Sequence, residues 1–138
     1  MTKEELVAAV KAALARARAG DADASYLGYQ EIYATPGFTA LRAEDQRQAL
    51  KLLILTKRGA AAVTDALRSA HAAAVGPLTE LVSMHNEPED YEMLGLCHLL
   101  AGNEKAASNI FRAALQIERE RSPGSDLCGR LMTRISAI

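Results

Sequence analysis

The chain contains no tryptophan, only four tyrosines and two phenylalanines, two cysteines and four prolines. It carries no surplus of charge of one sign. Lys and Arg number 16 against 17 Asp and Glu, a formal net charge of -1, so the basic excess of a dedicated nucleic-acid binder is missing. No apolar run reaches the roughly 18 residues that a membrane span requires. The opening segment MTKEELVAAVKAALARARAG has charges on both sides of a short apolar stretch and no small-residue cleavage site, so it reads as an ordinary helix and not a signal peptide. Cys97 and Cys128 sit in helical patterns without metal-ligand or redox spacing, and free thiols in a reducing cytosol are the simplest reading. These exclusions lead to the expectation of a soluble cytoplasmic protein with neither nucleic acid nor membrane as partner.

The catalytic vocabulary is equally thin. His71, His85 and His98 are scattered, with no H-x-x-x-H pair. Cys97 and His98 are adjacent on a helical pattern, so their side chains point about 100° apart and are poorly placed to clasp one ion. There is no glycine-rich phosphate loop, no G-x-S-x-G and no clustered carboxylates. No metal site, cofactor or enzymatic activity is expected from this inventory.

What the chain does have is alanine, 27 residues of 138. Alanine is the best helix former, and its small side chain lets helices approach closely. Thr2 and Glu5 have the S/T-x-x-E spacing of a capping box, followed by Leu6, Val10, Ala13 and Ala17 on one helical face. Gly20-Asp21 breaks that helix. A second carries Tyr26, Tyr29 and Tyr33 and ends before Thr35-Pro36-Gly37. The tyrosines read as hairpin core, with Tyr26 or Tyr33 the better placed to reach a surface. A third helix is predicted over 43–58. Its segment Leu50 to Leu55 is apolar on almost every face, the mark of a helix covered on both sides. Val63, Leu67, Ala70 and Ala74 give the next helix a thin stripe, which Gly76-Pro77 is expected to interrupt before a short helix around Leu78 to Val82. Pro88 with Glu89 and Asp90 suits a helix start. Helices at about 88–101 and 104–120 follow, and Leu127, Leu131, Ile135 and Ile138 form a last one. The total is seven or eight helices in 1–138, with no convincing strand or linker.

The segment PEDYEMLGLCHLLAGNEKAASNIFRAALQIERER, residues 88–121, carries a further pattern. Gly95 and Ala107 are small where two helices of a hairpin would touch. Tyr91, Leu94 and Phe111 fill the volume around that contact, Gly102 supplies the turn, and Ala114-Leu115 continue the face. In this register the segment resembles the tetratricopeptide repeat, a degenerate 34-residue helical hairpin. Two departures are Arg119 where a proline is usual, and His98 where a larger residue is common. Setting Gly20 against Gly102 gives a weaker second match through Ala13, Ser25 and Tyr29, with Ile32 departing from the preference for a small residue. The middle hairpin, about 43–75, matches in length and in the turn at Gly59. The resemblance implies an all-α fold of stacked antiparallel helix hairpins, about three of them plus a C-terminal capping helix over 125–138, because one repeat cannot bury its own faces.

The resemblance further implies a groove lined by the first helix of each hairpin, binding a peptide or helix of another protein. In the best-matched hairpin those positions are Glu89, Glu92, Met93, Leu96, Leu99 and Leu100. Leu96 stands where an asparagine would grip a C-terminal carboxylate, so a hydrophobic ligand segment is expected. The alternative is that these leucines pack on a neighbouring helix of the same chain, as apolar stripes at helical spacing generally do. Lys11, Arg16, Lys51 and Lys57, with Arg18 and Arg58, could meet an acidic partner or form a solvated face. The expected function is a non-enzymatic adaptor. A homodimer that buries the terminal helices, and a small secretion-type chaperone, are the other two readings.

Overall fold

The computed structural model describes all 138 residues, and every regular element is helical. Seven α-helices occur in order: α1 Lys3–Arg18, α2 Ala22–Ala34, α3 Ala43–Ile54, α4 Asp65–His85, α5 Pro88–Leu100, α6 Glu104–Arg121 and α7 Asp126–Ser136. Short 3-10 turns lie at Pro36–Ala40 and Ala60–Ala62. The chain divides into two compact units, Met1–Pro77 and Leu78–Ile138.

In the first unit, α1 and α2 pack across the Gly20 turn. The capping box at the start of α1 is complete: Thr2 Oγ1 accepts the Glu5 N–H at 3.1 Å and Glu5 Oε1 accepts the Thr2 N–H at 3.3 Å. Leu6 and Ala13 are buried, but Val10 is only partly covered and Ala17 is exposed. All three tyrosines of α2 are buried, so neither Tyr26 nor Tyr33 supplies a surface. Tyr29 stacks on Tyr33 with ring centroids 6.1 Å apart, Phe38 tilts against Tyr33 at 5.6 Å, and the Tyr33 hydroxyl donates to the Ala49 carbonyl at 2.9 Å.

α3 stops at Ile54, four residues short of its predicted end. Its last carbonyls are taken by side chains that follow: Thr56 Oγ1 donates to Leu52 O and Arg58 Nη1 to Leu53 O, each at 2.6 Å. Arg58 also lies over the Tyr26 ring, 5.2 Å from its centroid, and donates to the Tyr26 hydroxyl at 3.2 Å. Satisfying C-terminal carbonyls with a basic side chain is a common way to end a helix. The helix is also covered on one side only. Leu50, Leu53 and Ile54 are buried, while Leu52 and Leu55 face outwards.

The expected break at Gly76-Pro77 does not occur, and α4 runs without interruption from Asp65 to His85. A proline inside a helix removes one backbone bond and crowds the preceding turn, at about 3 kcal/mol. Here it lies within a buried stripe of Ala70, Ala74, Leu78 and Leu81. Burying the two leucines alone contributes roughly 4 kcal/mol, which offsets the strain.

In the second unit, α5 packs on α6 and α6 on α7. Ala107, Phe111, Ala114, Leu115, Leu127, Cys128 and Leu131 form its buried cluster. Gly95 is small for a physical reason. A Cβ there would lie 2.4 Å from Phe111 Cε1, so the Phe111 ring occupies the space any other residue would need. Asn86, in the left-handed region at φ 52°, joins α4 to α5. Its side-chain oxygen accepts the Tyr91 hydroxyl at 2.7 Å and its carbonyl accepts Arg121 Nη2 at 3.3 Å.

The turns between α1 and α2 and between α5 and α6 are the same structure, 82 positions apart. Ala19 and Ala101 both have φ -76°, followed by Gly20 at φ 87° and Gly102 at φ 81°. Gly20 N–H donates to Ala17 O and Gly102 N–H to Leu99 O, both at 3.0 Å. Asp21 N–H donates to Arg16 O at 3.0 Å and Asn103 N–H to His98 O at 2.9 Å. This paired bonding defines the Schellman motif, in which glycine takes the left-handed position. The residue that closes each motif opens the next helix: Asp21 Oδ1 accepts Ala24 N–H, and Asn103 Oδ1 accepts Ala106 N–H.

Candidate functional site

The expected groove residues on α5 divide by accessibility. Glu89 is exposed, whereas Glu92 and Met93 are buried and offer no surface to a ligand. Leu96 and Leu99 are partly buried and pack against the α6–α7 cluster, so these leucines serve the chain's own packing. Leu100 is likewise only partly exposed.

Glu92 has its own structural reason to be buried. It is 1% exposed, yet its carboxylate accepts three hydrogen bonds from α7. Arg130 donates through Nε and Nη2 at 3.2 Å each, and Arg134 through Nε at 2.9 Å. Both arginines keep part of their surface in solvent, so the acid is desolvated while its partners stay hydrated. Charge-assisted and bidentate bonds of this kind are the strongest hydrogen bonds a side chain makes. The cluster ties α7 to α5. It is not legible in the sequence, because its members lie 38 and 42 residues apart.

An open, partly apolar depression lies on the first unit, between α1 and α3. Leu6, Val7 and Val10 of α1 face Ala49 and Leu52 of α3 across a depression of about 470 Å³. Val7 and Leu52 remain 41% and 42% exposed. Lys3 and Lys11 border it on α1, with Arg42, Glu44, Asp45 and Gln48 on the α3 side. The spacing is helical on both walls, so each turn adds one lining residue or pair. Lys3 Nζ reaches Asp45 Oδ1 at 3.8 Å, which brings the N-terminal ends of the two helices together. Glu44 Oε1 accepts Gln48 Nε2 at 3.3 Å.

Of the basic residues Lys11, Arg16, Lys51 and Lys57, only Lys11 lines this depression. Arg16 lies on another side of α1, over Gly28 of α2, where a Cβ would meet its guanidinium at 3.0 Å. Lys51 is partly buried, and Lys57 is exposed beyond the end of α3. Sequence periodicity misses Arg42, which precedes its helix and belongs to no stripe. It also misses Val7 and Leu52, which sit beside the buried stripes instead of within them.

Both cysteines are buried and unpaired, and burial pushes the Cys97 thiol up to about 12, away from the thiolate form that reacts or binds metal. No group of three or more His, Cys, Asp or Glu side chains is placed to hold a metal ion. No helix is long and apolar enough to cross a membrane. No protein-family model, curated protein or solved structure matches the chain.

Proposed function

We propose that the chain is a tetratricopeptide-like adaptor that binds a peptide or helix of another protein in the apolar groove between α1 and α3, without chemistry of its own. The single observation that carries this reading is the exposure of Val7 and Leu52 in the lining of a depression walled by two helices. In the repeat reading, α1 and α3 are the first helices of successive hairpins, the position from which such proteins bind. The matching Schellman turns at Gly20 and Gly102 support that reading. Covering Val7 and Leu52 would contribute about 1 kcal/mol each, since each is already half buried.

Photo-crosslinking from a benzophenone amino acid at position 7 tests the proposal, with position 116 on α6 as reference. A partner crosslinked at 7 and lost in Leu52→Asp is expected. Crosslinking that is equal at both positions, or indifferent to Leu52→Asp, would place binding elsewhere. Exposed Met132 and Ile138 favour a second reading, a homodimer through α7; a monomer by light scattering at high concentration would remove it.

A further inference from the structure

We infer that the occupant of the α1–α3 groove is an amphipathic helix with an acidic residue at each end of its apolar face. This rests on the groove reading above. Three cations (Lys3, Lys11 and Arg42) and two anions (Glu44 and Asp45) border the depression, which leaves one positive charge in excess. Lys3 is paired with Asp45, while Glu44 accepts a hydrogen bond from the neutral Gln48 amide and keeps its charge. Lys11 and Arg42 make no ion pair or side-chain hydrogen bond within the chain.

Those two cations stand at opposite ends. Arg42 is the N-cap residue of α3 and lies at the end marked by the Lys3–Asp45 pair. Lys11 lies eight residues along α1 from Lys3, about 12 Å at the helical rise. No side-chain hydrogen bond caps the start of α3, whose first turn already carries Glu44 and Asp45, so at that end an incoming carboxylate pairs with the exposed Arg42 guanidinium. Between the two ends the lining is apolar apart from Gln48. A ligand that matches this surface carries acids roughly 12 Å apart with apolar residues between them.

Conformation follows from hydrogen bonding. The groove walls are helices whose backbone groups are already paired internally. They offer an extended segment no backbone partners, so its N–H and C=O groups keep to the open, solvent side, whereas a helix brings its bonds with it and can lay a whole apolar face on the depression. On a helix, 12 Å corresponds to acids about seven or eight residues apart, two turns, which keeps both on one face.

The test is selection from a phage-displayed library of random 16-residue peptides on the intact protein, counter-selected on Val7→Asp. Enriched peptides should carry two acids seven or eight positions apart around apolar residues at helical spacing. The best of them, as a synthetic peptide, should bind Lys11→Glu and Arg42→Glu roughly tenfold more weakly at low salt. Replacing the matching peptide acid by lysine should restore binding to each variant. Groove-dependent peptides without acids, or with unchanged affinity for both variants, would overturn the acidic-helix inference and leave the groove reading standing. Failure to enrich any peptide sensitive to Val7→Asp would overturn both.

Discussion

Glu92 and Arg134 form a hydrogen-bonded ion pair at 2.9 Å in which the acid is 1% exposed and the arginine side chain 30% exposed. A desolvated carboxylate is tolerable only while its oxygens are bonded. Arg130 supplies the other two bonds from one turn earlier on α7. Each arginine therefore insures the acid against loss of the other. Arg130→Ala and Arg134→Ala are expected to cost about 1 kcal/mol apiece. The double variant strands the charge, and should cost about 3 kcal/mol or more, beyond the sum of the singles. Urea denaturation of the four proteins measures this, and additive losses would mean that Glu92 finds another partner.

The matched turns make a second prediction that does not depend on tertiary packing. Gly20 and Gly102 both adopt positive φ, and a Cβ added at either would meet nothing within 4 Å. The cost of alanine at either position is therefore the left-handed backbone alone, about 1–2 kcal/mol. Gly20→Ala and Gly102→Ala should destabilise the protein by the same amount within error. Thermal melting checks it. A much larger loss at one position would show that the two turns are held by different surroundings.

His71 predicts the response to acid. Burial, and then the positive charge of Arg58, hold its imidazole below the ordinary histidine value; the backbone bond to Leu67 opposes them. The Leu67 carbonyl can only accept, so Nδ1 carries the hydrogen of the neutral ring, 3.0 Å away. The unfolded chain takes up its proton near pH 6.5, and the folded protein only at lower pH. Stability should fall as pH drops through about 6.5, by at most about 1.4 kcal/mol per pH unit for this group, and the loss should level off below the folded value. Urea midpoints between pH 7.5 and 5 test this against His71→Gln, which removes the titration. Equal slopes in the two proteins would exclude His71 as the source.

Much of the helical layout is legible in the sequence because it depends on neighbours. The capping box, the turns at Gly20 and Gly102, and the proline start of α5 are decided within six residues of chain. What stays hidden depends on distant residues. Glu92 reads as a surface acid on its own helix, and only α7 makes it a buried one. Pro77 reads as a break, and only the burial of Leu78 and Leu81 overrides it. The repeat resemblance points to the best-matched hairpin, and so to α5, for the groove, yet Leu96 and Leu99 there serve the unit's own core. The open depression lies where single residues, Val7 and Leu52, depart from buried stripes.

The self-contained turns also bear on the order of folding. Each Schellman bond closes a ring of only a few residues, and the residue that closes it starts the following helix. Nothing synthesised later is needed to fix the path of the chain from α1 into α2. That turn can therefore form while later residues are still emerging from the ribosome, whereas the tyrosines of α2 await Phe38 and the Ala49 carbonyl of α3. α7 is made after α5 and α6, and until Arg130 and Arg134 arrive, the carboxylate of Glu92 remains in water.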